Sequence, residues 1–336
     1  MKITIDLNKM ESFLRTEKGL RFLDYLLENC EPEIRSLLAG YANMPNKLLM
    51  ELAEDKSQSV RYAVAKNANA SVRILEKLAT DDVWYVRFGV AMNANTPVYI
   101  LETLSKDPEP DVRLAVVTNV NATCELIENF LDEEDSKICL EIANNSKASA
   151  KILEKISHHE YLLVRKAVAG NANTSSRTLA KFVEENDDWR VLCEVAKNPN
   201  APAEILEKLA ESEHNDVCYQ VAKNLNTSVD VLEKLATKEA WCVRQAVATN
   251  EHTPSKVLEK LAKDSNWNVR LAVIFNKNTP LAVFSIFANC KDDPVIREAV
   301  AQSENAPAEI IEKLATDDVE SVREAAKETL SKLNNQ

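Results

Sequence analysis

The sequence predicts an all-α repeat solenoid, about twelve tandem 26-residue units of two helices each, with no sheet. Three observations carry this. One segment recurs along the chain: VRYAVAKNANASVRILEKLATDD (60–82), VRFGVAMNANTPVYILETLSKDP (86–108), VRKAVAGNANTSSRTLAKFVEEN (164–186) and VRQAVATNEHTPSKVLEKLAKDS (243–265). The spacing is regular, and internal periods of this size signify stacked repeats. Finally, only 4 of 336 residues are Gly, whereas hairpin-rich sheet proteins need Gly at their turns.

The register is set by an anchor position: Tyr41, Asn67, Asn93, Asn119, Asn145, Asn171, Asn198, Asn224, Asn250, Asn276, Ser303 and Thr329. Steps are 26 residues except Asn171 to Asn198 and Asn276 to Ser303, which are 27. Residues 1–33 break the pattern and read as an N-terminal cap. Residues 34–329 hold the tandem repeats, and 330–336 form the tail of a capping helix, where Ala326 and Lys327 replace Val-Ala.

Within a unit, the first helix follows Asn-x-Asn. Thr96-Pro97, Thr253-Pro254 and Thr279-Pro280 read as a Thr cap with Pro in the first helical position. Its apolar stripe is the type Ile74, Leu75, Leu78, and it ends near Asp81 or Asp317. The second helix has the form W-x-V-R-x-A-V-A, with small residues that let helices approach closely. It is expected to stop at the anchor Asn, a residue that tolerates the left-handed conformation. Neither helix is long enough to persist alone, so stacking must supply the core.

Composition narrows function. Lys and Arg total 41 against 53 Asp and Glu, a formal charge of -12. That balance disfavours nucleic acid and anionic membranes as partners. Cys30, Cys124, Cys139, Cys193, Cys218, Cys242 and Cys290 are dispersed without a CxxC pair, which fits reduced thiols. No apolar run has the length of a signal peptide or a membrane span, and the expected location is cytoplasmic.

The unit D-x-x-W-x-V-R-x-A-V-A-x-N-x-N-T-P-x-x-L-L-x-x-L-A resembles the bacterial leucine-rich repeat variant, a relative of HEAT-like repeats. The resemblance covers about residues 34–329. It implies a right-handed superhelix of α- and short 3₁₀-type helices. The family archetype also carries an N-terminal iron–sulfur module with clustered cysteines. Here Cys30 is the only cysteine before Cys124, so that module is not expected, and the resemblance implies a fold without a chemistry.

Several rows follow the repeat. Arg35, Arg61, Arg87, Arg113, Arg165, Arg244, Arg270, Arg297 and Arg323 share one position, with Cys139, Leu192 and Cys218 replacing Arg in the middle. An anion track is one reading. Guanidinium bonds to the turn of a neighbouring unit are the favoured one. The second turn Asn (Asn95, Asn121, Asn200) reads as a turn ladder, and the Glu76, Glu102, Glu128 row as a solvated face.

Recognition is assigned to what varies. All four tryptophans, Trp84, Trp189, Trp241 and Trp267, lie nine residues before the anchor. Positions i, i+4 and i+8 from there share a helix face and differ between units. The expected partner-binding residues are Trp84, Phe88, Met92, Leu114, Leu140, Trp241, Trp267, Leu271 and Phe275. Exposed apolar clusters of this kind mark interaction sites. The alternative places the tryptophans over the next unit's helix start.

No catalytic or metal-binding motif, and no cofactor site, is expected. His158, His159, His214 and His252 give no HExxH, no phosphate loop is available from four glycines, and GxSxG is absent. The enzyme alternative is a HEAT-like DNA glycosylase, which needs a basic groove that the acidic balance opposes. The expected function is therefore a non-catalytic scaffold for a protein or peptide.

Overall fold

The computed structural model describes residues 16–333 apart from Leu131, and their side chains except those of Glu17 and Leu20. Residues 1–15 of the expected cap and 334–336 of the expected tail lie outside the described residues. The chain divides into two compact units, Met1–Val164 and Arg165–Gln336. Among the described residues there are 24 helices and no strand.

In the first unit, α1 (Glu17–Asn29) precedes the repeats. The repeats begin with α2 (Pro32–Ala39), α3 (Asn46–Leu52), α4 (Gln58–Lys66), α5 (Val72–Leu78), α6 (Trp84–Met92) and α7 (Val98–Leu104). They go on as α8 (Pro110–Thr118), α9 (Cys124–Glu128), α10 (Ser136–Asn144), α11 (Ala150–Ile156) and α12 (Leu162–Gly170), within which the unit boundary falls. The second unit has α13 (Ser176–Glu184), α14 (Trp189–Lys197), α15 (Ala203–Leu209), α16 (Asn215–Lys223), α17 (Val229–Leu235) and α18 (Trp241–Thr249). It ends with α19 (Ser255–Leu261), α20 (Trp267–Ile274), α21 (Leu281–Ala288), α22 (Pro294–Gln302), α23 (Ala308–Leu314) and α24 (Glu320–Leu333).

The even-numbered repeat helices carry the arginine row. They lie side by side, each against the next, from α2 to α10 in the first unit and from α14 to α24 in the second. Their Val and Ala positions, such as Val86, Val90 and Ala91, are fully buried, as are Ile74 and Leu75 of the odd-numbered α5. Small residues set the approach. A Cβ on Gly89 would stand 3.0 Å from both the Ala65 Cβ and the Tyr62 ring, so its absence admits that ring against α6.

Two local expectations need correction. In the Thr-Pro turns, Pro97 and Pro254 are themselves the caps, and the helices begin one residue later. The threonines do another job: Thr96 Oγ1 donates to the Val90 carbonyl at 2.6 Å, and Thr253 Oγ1 to the Val247 carbonyl at 2.6 Å. Each is a second donor to a carbonyl of the preceding helix's last turn, which also accepts the anchor N–H of Asn93 or Asn250, and both threonines are buried.

The anchor asparagines, in turn, are extended rather than left-handed: Asn93 has φ -75°, ψ 125°. Their side chains end the helix by joining successive repeats. Asn93 Nδ2 donates to the Ala65 and Asn67 carbonyls of the preceding repeat at 2.7 and 2.9 Å. Its Oδ1 accepts from the Asn95 N–H at 2.9 Å. In the second unit Asn224 does the same with the Ala196 and Asn198 carbonyls and the Asn226 N–H. The second turn asparagines add a parallel row, Asn121 Nδ2 reaching the Ala94 and Thr96 carbonyls. Where the anchor becomes Thr329, α24 runs straight through it.

Candidate partner-binding face

The arginine row must be settled first, because it is the most regular charged feature. Arg87 shows the pattern. Its Nε and Nη2 donate to both carboxylate oxygens of Asp107 in the next repeat, at 2.6 and 2.9 Å. Its Nη1 donates to the Asp81 and Asp82 carbonyls at 2.7 and 3.2 Å. Arg35–Asp55, Arg61–Asp81 and Arg113–Glu133 repeat this in the first unit. In the second, Arg165–Asp187, Arg244–Asp264 and Arg297–Asp317 do so, and Arg270 approaches Asp293 at 3.6 Å. These guanidiniums spend their donors inside the fold, so the row is architecture and not an anion track.

Electrostatics agree. Burial pushes the Asp81 carboxyl up, but the Arg61 hydrogen bond, the Val83 N–H and the Arg61 and Arg87 charges outweigh it and hold it below the usual carboxylate range. The Asp81 bond raises Arg61 in return.

Three repeats break the row, and there both partners change. The carboxylate normally lies 20 residues beyond the arginine. Beyond Cys139, Leu192 and Cys218 that position holds His159, Ser212 and Lys238. The cysteines partly replace the guanidinium: Cys139 Sγ donates to the Glu133 carbonyl and Cys218 Sγ to the Ser212 carbonyl, each at 3.3 Å. Burial pushes the Cys139 thiol up to about 11, so it is a structural donor and not a nucleophile. Leu192 supplies no donor. A cavity of about 690 Å³ lies there, lined by Asn186, Asp187, Trp189, Leu192, Ser212 and His214 among others. Asn186 is the only non-Gly described residue with positive φ, 49°, and lies in the lengthened turn of the 27-residue repeat. Trp189 stacks on His214, ring centroids 5.6 Å apart, and so does cover the next repeat's helix start.

The variable face lies elsewhere on the even helices. In the first unit Trp84 is 39% and Met92 49% exposed, and Phe88, Leu114 and Leu140 are half-buried. Trp84 meets Phe88 edge-on at 6.4 Å and Tyr85 at 5.9 Å, and Tyr85 meets Tyr62 at 5.7 Å. The aromatic cluster is therefore larger than the expected partner-binding residues, which include neither Tyr62 nor Tyr85. Tyr62 occupies the same row position as Phe88, which was the available signal. Leu114 opens into a cavity of about 230 Å³ beside Pro110 and Ile138, while Leu140 is outside it.

In the second unit Trp267 and Phe275 are 50% and 48% exposed, and Trp241 is exposed as well. Leu271 and Phe275 share a cavity of about 270 Å³ with Gln245, Thr249, Asn268, Ala272 and Asn276. Trp241 and Trp267 do not line it. The face thus offers an aromatic cluster in one unit and a small apolar cavity in the other. Among the described residues no group of three or more His, Cys, Asp or Glu is placed to hold a metal ion. No described helix is long and apolar enough to cross a membrane.

No family model matches the sequence, and no curated protein is significantly similar to it. Among solved structures, the chain is similar to a leucine-rich repeat variant with a novel repetitive structural motif. That match has 22% identity, covers 73% of this chain and 96% of the other, and has a TM-score of 0.50. An engineered protein aligns over 98% of this chain and 99% of its own, at 15% identity and a TM-score of 0.28. The first likeness is one of fold. The chain is an all-α repeat protein built on the leucine-rich repeat variant plan.

Proposed function

We propose that the protein is a non-catalytic scaffold that binds a protein or peptide on the variable face of its even-numbered helices. One contrast carries the reading. The repeated polar residues are consumed in joining repeats, whereas the row at Trp84, Phe88, Met92 and at Trp267, Leu271, Phe275 differs between units and leaves large apolar side chains in water. Solvent exposure of such side chains costs about 25 cal/mol per Å², which a partner recovers by covering them.

The test is affinity purification of the intact protein with mass spectrometry, comparing wild type with Phe88→Asp, Leu271→Asp and, on the opposite layer, Glu259→Ala. Each variant is first checked for an unchanged helical spectrum and melting temperature. Partners lost with Phe88→Asp or Leu271→Asp and retained with Glu259→Ala support the face. A partner set that survives both substitutions in folded protein overturns it.

A further inference from the structure

One acceptor position is served in repeat after repeat. Seven arginines of the row, Arg61 and Arg323 among them, donate Nη1 to the carbonyl six residues earlier, at 2.7 to 3.0 Å. Where Cys139 and Cys218 replace arginine, Sγ donates to that same position, the Glu133 and Ser212 carbonyls. Leu192 brings no donor. Six residues before it is Asn186, and among the described residues nothing donates to the Asn186 carbonyl or to that of Asp187. The far end of the rung is altered as well. Ser212 holds the carboxylate position, and its Oγ accepts the His214 N–H at 3.1 Å, as the Asp81 carboxylate accepts that of Val83. The turn is kept while the bidentate carboxylate is gone. Asn186, Asp187, Leu192 and Ser212 all line the cavity of about 690 Å³.

Charge does not choose the ligand here. The lining carboxylates of Asp187, Asp188 and Glu211 pair with Arg165, Arg190 and Lys234, and Glu213 balances Lys208. Nor is the Trp189 ring free, since His214 stacks on it and Arg190 lies over it at 5.9 Å. The unmet groups are the two carbonyls, and the intact repeats show what such carbonyls take. From this we infer that the cavity receives the guanidinium of an arginine side chain carried by a partner protein. The partner thereby supplies the rung that Leu192 omits. A guanidinium holds its donors in a rigid plane, which lets one nitrogen reach adjacent carbonyls, as Arg87 Nη1 reaches those of Asp81 and Asp82. A charged donor also makes the stronger bond to a carbonyl. The aliphatic stem lies along Val183, Leu192 and Leu209. Sites for small ligands measure about 300–1,000 Å³, so this cavity also admits backbone on either side of the arginine. The site fills a gap in the repeated row and does not rest on the face at Leu271 and Phe275.

The experiment is two-dimensional NMR of the ¹⁵N-labelled intact protein, read at the indole N–H signals of its four tryptophans, with Trp189 assigned through Trp189→Phe. The probes are short peptides of Gly, Ser and Ala with a single Arg, Lys or citrulline at the centre. Lysine keeps the charge and lacks the planar fork, and citrulline keeps the shape and lacks the charge. The arginine peptide is expected to shift the Trp189 signal saturably, with Kd of about 1 mM or tighter, and the other two to bind at least about tenfold more weakly. Leu192→Arg/Ser212→Asp seats the chain's own rung in the cavity and is expected to weaken the arginine peptide at least about tenfold. Its melting temperature shows whether it is folded, and the three-peptide comparison needs only the wild type. No saturation at Trp189 by about 10 mM overturns the inference. So does a shift spread over all four indoles, equal binding of the lysine or citrulline peptide, or arginine binding that survives in the folded double variant.

Discussion

Cutting a single rung of the arginine ladder tests whether the ladder joins repeats. Arg61 Nε and Nη2 contact both Asp81 oxygens at 2.6 and 3.0 Å, and Nη1 donates to the Asp55 and Lys56 carbonyls at 2.9 and 3.3 Å. The two side chains are 17% and 8% exposed, so the pair lies between surface and interior. Exposed pairs contribute about 0–1 kcal/mol, and removal of one member of a buried pair costs about 3–5 kcal/mol. Arg61→Met keeps the aliphatic stem and leaves Asp81 with only the Val83 N–H at 3.0 Å, an expected loss of about 2–4 kcal/mol. Asp81→Asn, which keeps an acceptor, is expected to lose about 1–2 kcal/mol. The double variant should lose clearly less than the sum, with a coupling of about 1–3 kcal/mol. Urea midpoints of the four proteins at constant slope give these values. A coupling below about 0.5 kcal/mol would refute the claim that this bidentate contact joins the repeats.

Other outcomes follow from the same geometry. Asn224→Ala removes three hydrogen bonds and leaves the Ala196 carbonyl unsatisfied, while the Asn198 carbonyl keeps the Ala201 N–H, a loss of about 1–3 kcal/mol, and amide exchange should accelerate first in α14 and α16. The ladder carboxylates of Asp55, Asp81, Glu133, Asp264 and Asp317 all have lowered pKa values. Their stabilisation is present above the unfolded value of about 4 and is lost as pH falls through the folded values, down to about 2 for Asp317. Melting temperature should therefore fall from about pH 4 downward, and a flat acid limb would contradict this. Cys139 works in the opposite direction. Its raised pKa gives stability present below about 8.5 and lost as pH rises through about 11, a limb that Cys139→Ser should diminish. Finally, Leu192→Arg/Ser212→Asp restores the missing rung in the 690 Å³ cavity and should melt higher than Leu192→Arg alone, which brings a cation without its carboxylate.

The repeat made most of the fold legible. Helix type, order and the buried Val-Ala-Leu positions all follow from the 26-residue period. What the residues could not show was which atoms the polar rows use. The anchor asparagines were read through backbone conformation, yet their effect comes from side-chain bonds to a repeat 26 residues earlier. The threonines were read as caps because Thr-Pro commonly starts a helix, while burial turned the hydroxyl back to the previous helix. The pairing signal in the sequence is the loss of a carboxylate 20 residues on wherever Arg is lost, at His159, Ser212 and Lys238, although Arg165 and Arg270 reach past that position to Asp187 and Asp293. The face was located through its variation, but the ring contacts joining Tyr62, Tyr85 and Trp84 depend on how adjacent helices pack.

The central claim is that recognition belongs to the non-repeating row and that the repeated rows only build. Photo-crosslinking tests it most directly, with benzoylphenylalanine placed in turn at Leu271 in the row, Glu259 on α19 and Asn278 in the turn. With a partner recovered by affinity purification of the intact protein as probe, the adduct is predicted at Leu271 and at neither of the others. An adduct at Glu259 or Asn278 in place of Leu271 would contradict the account.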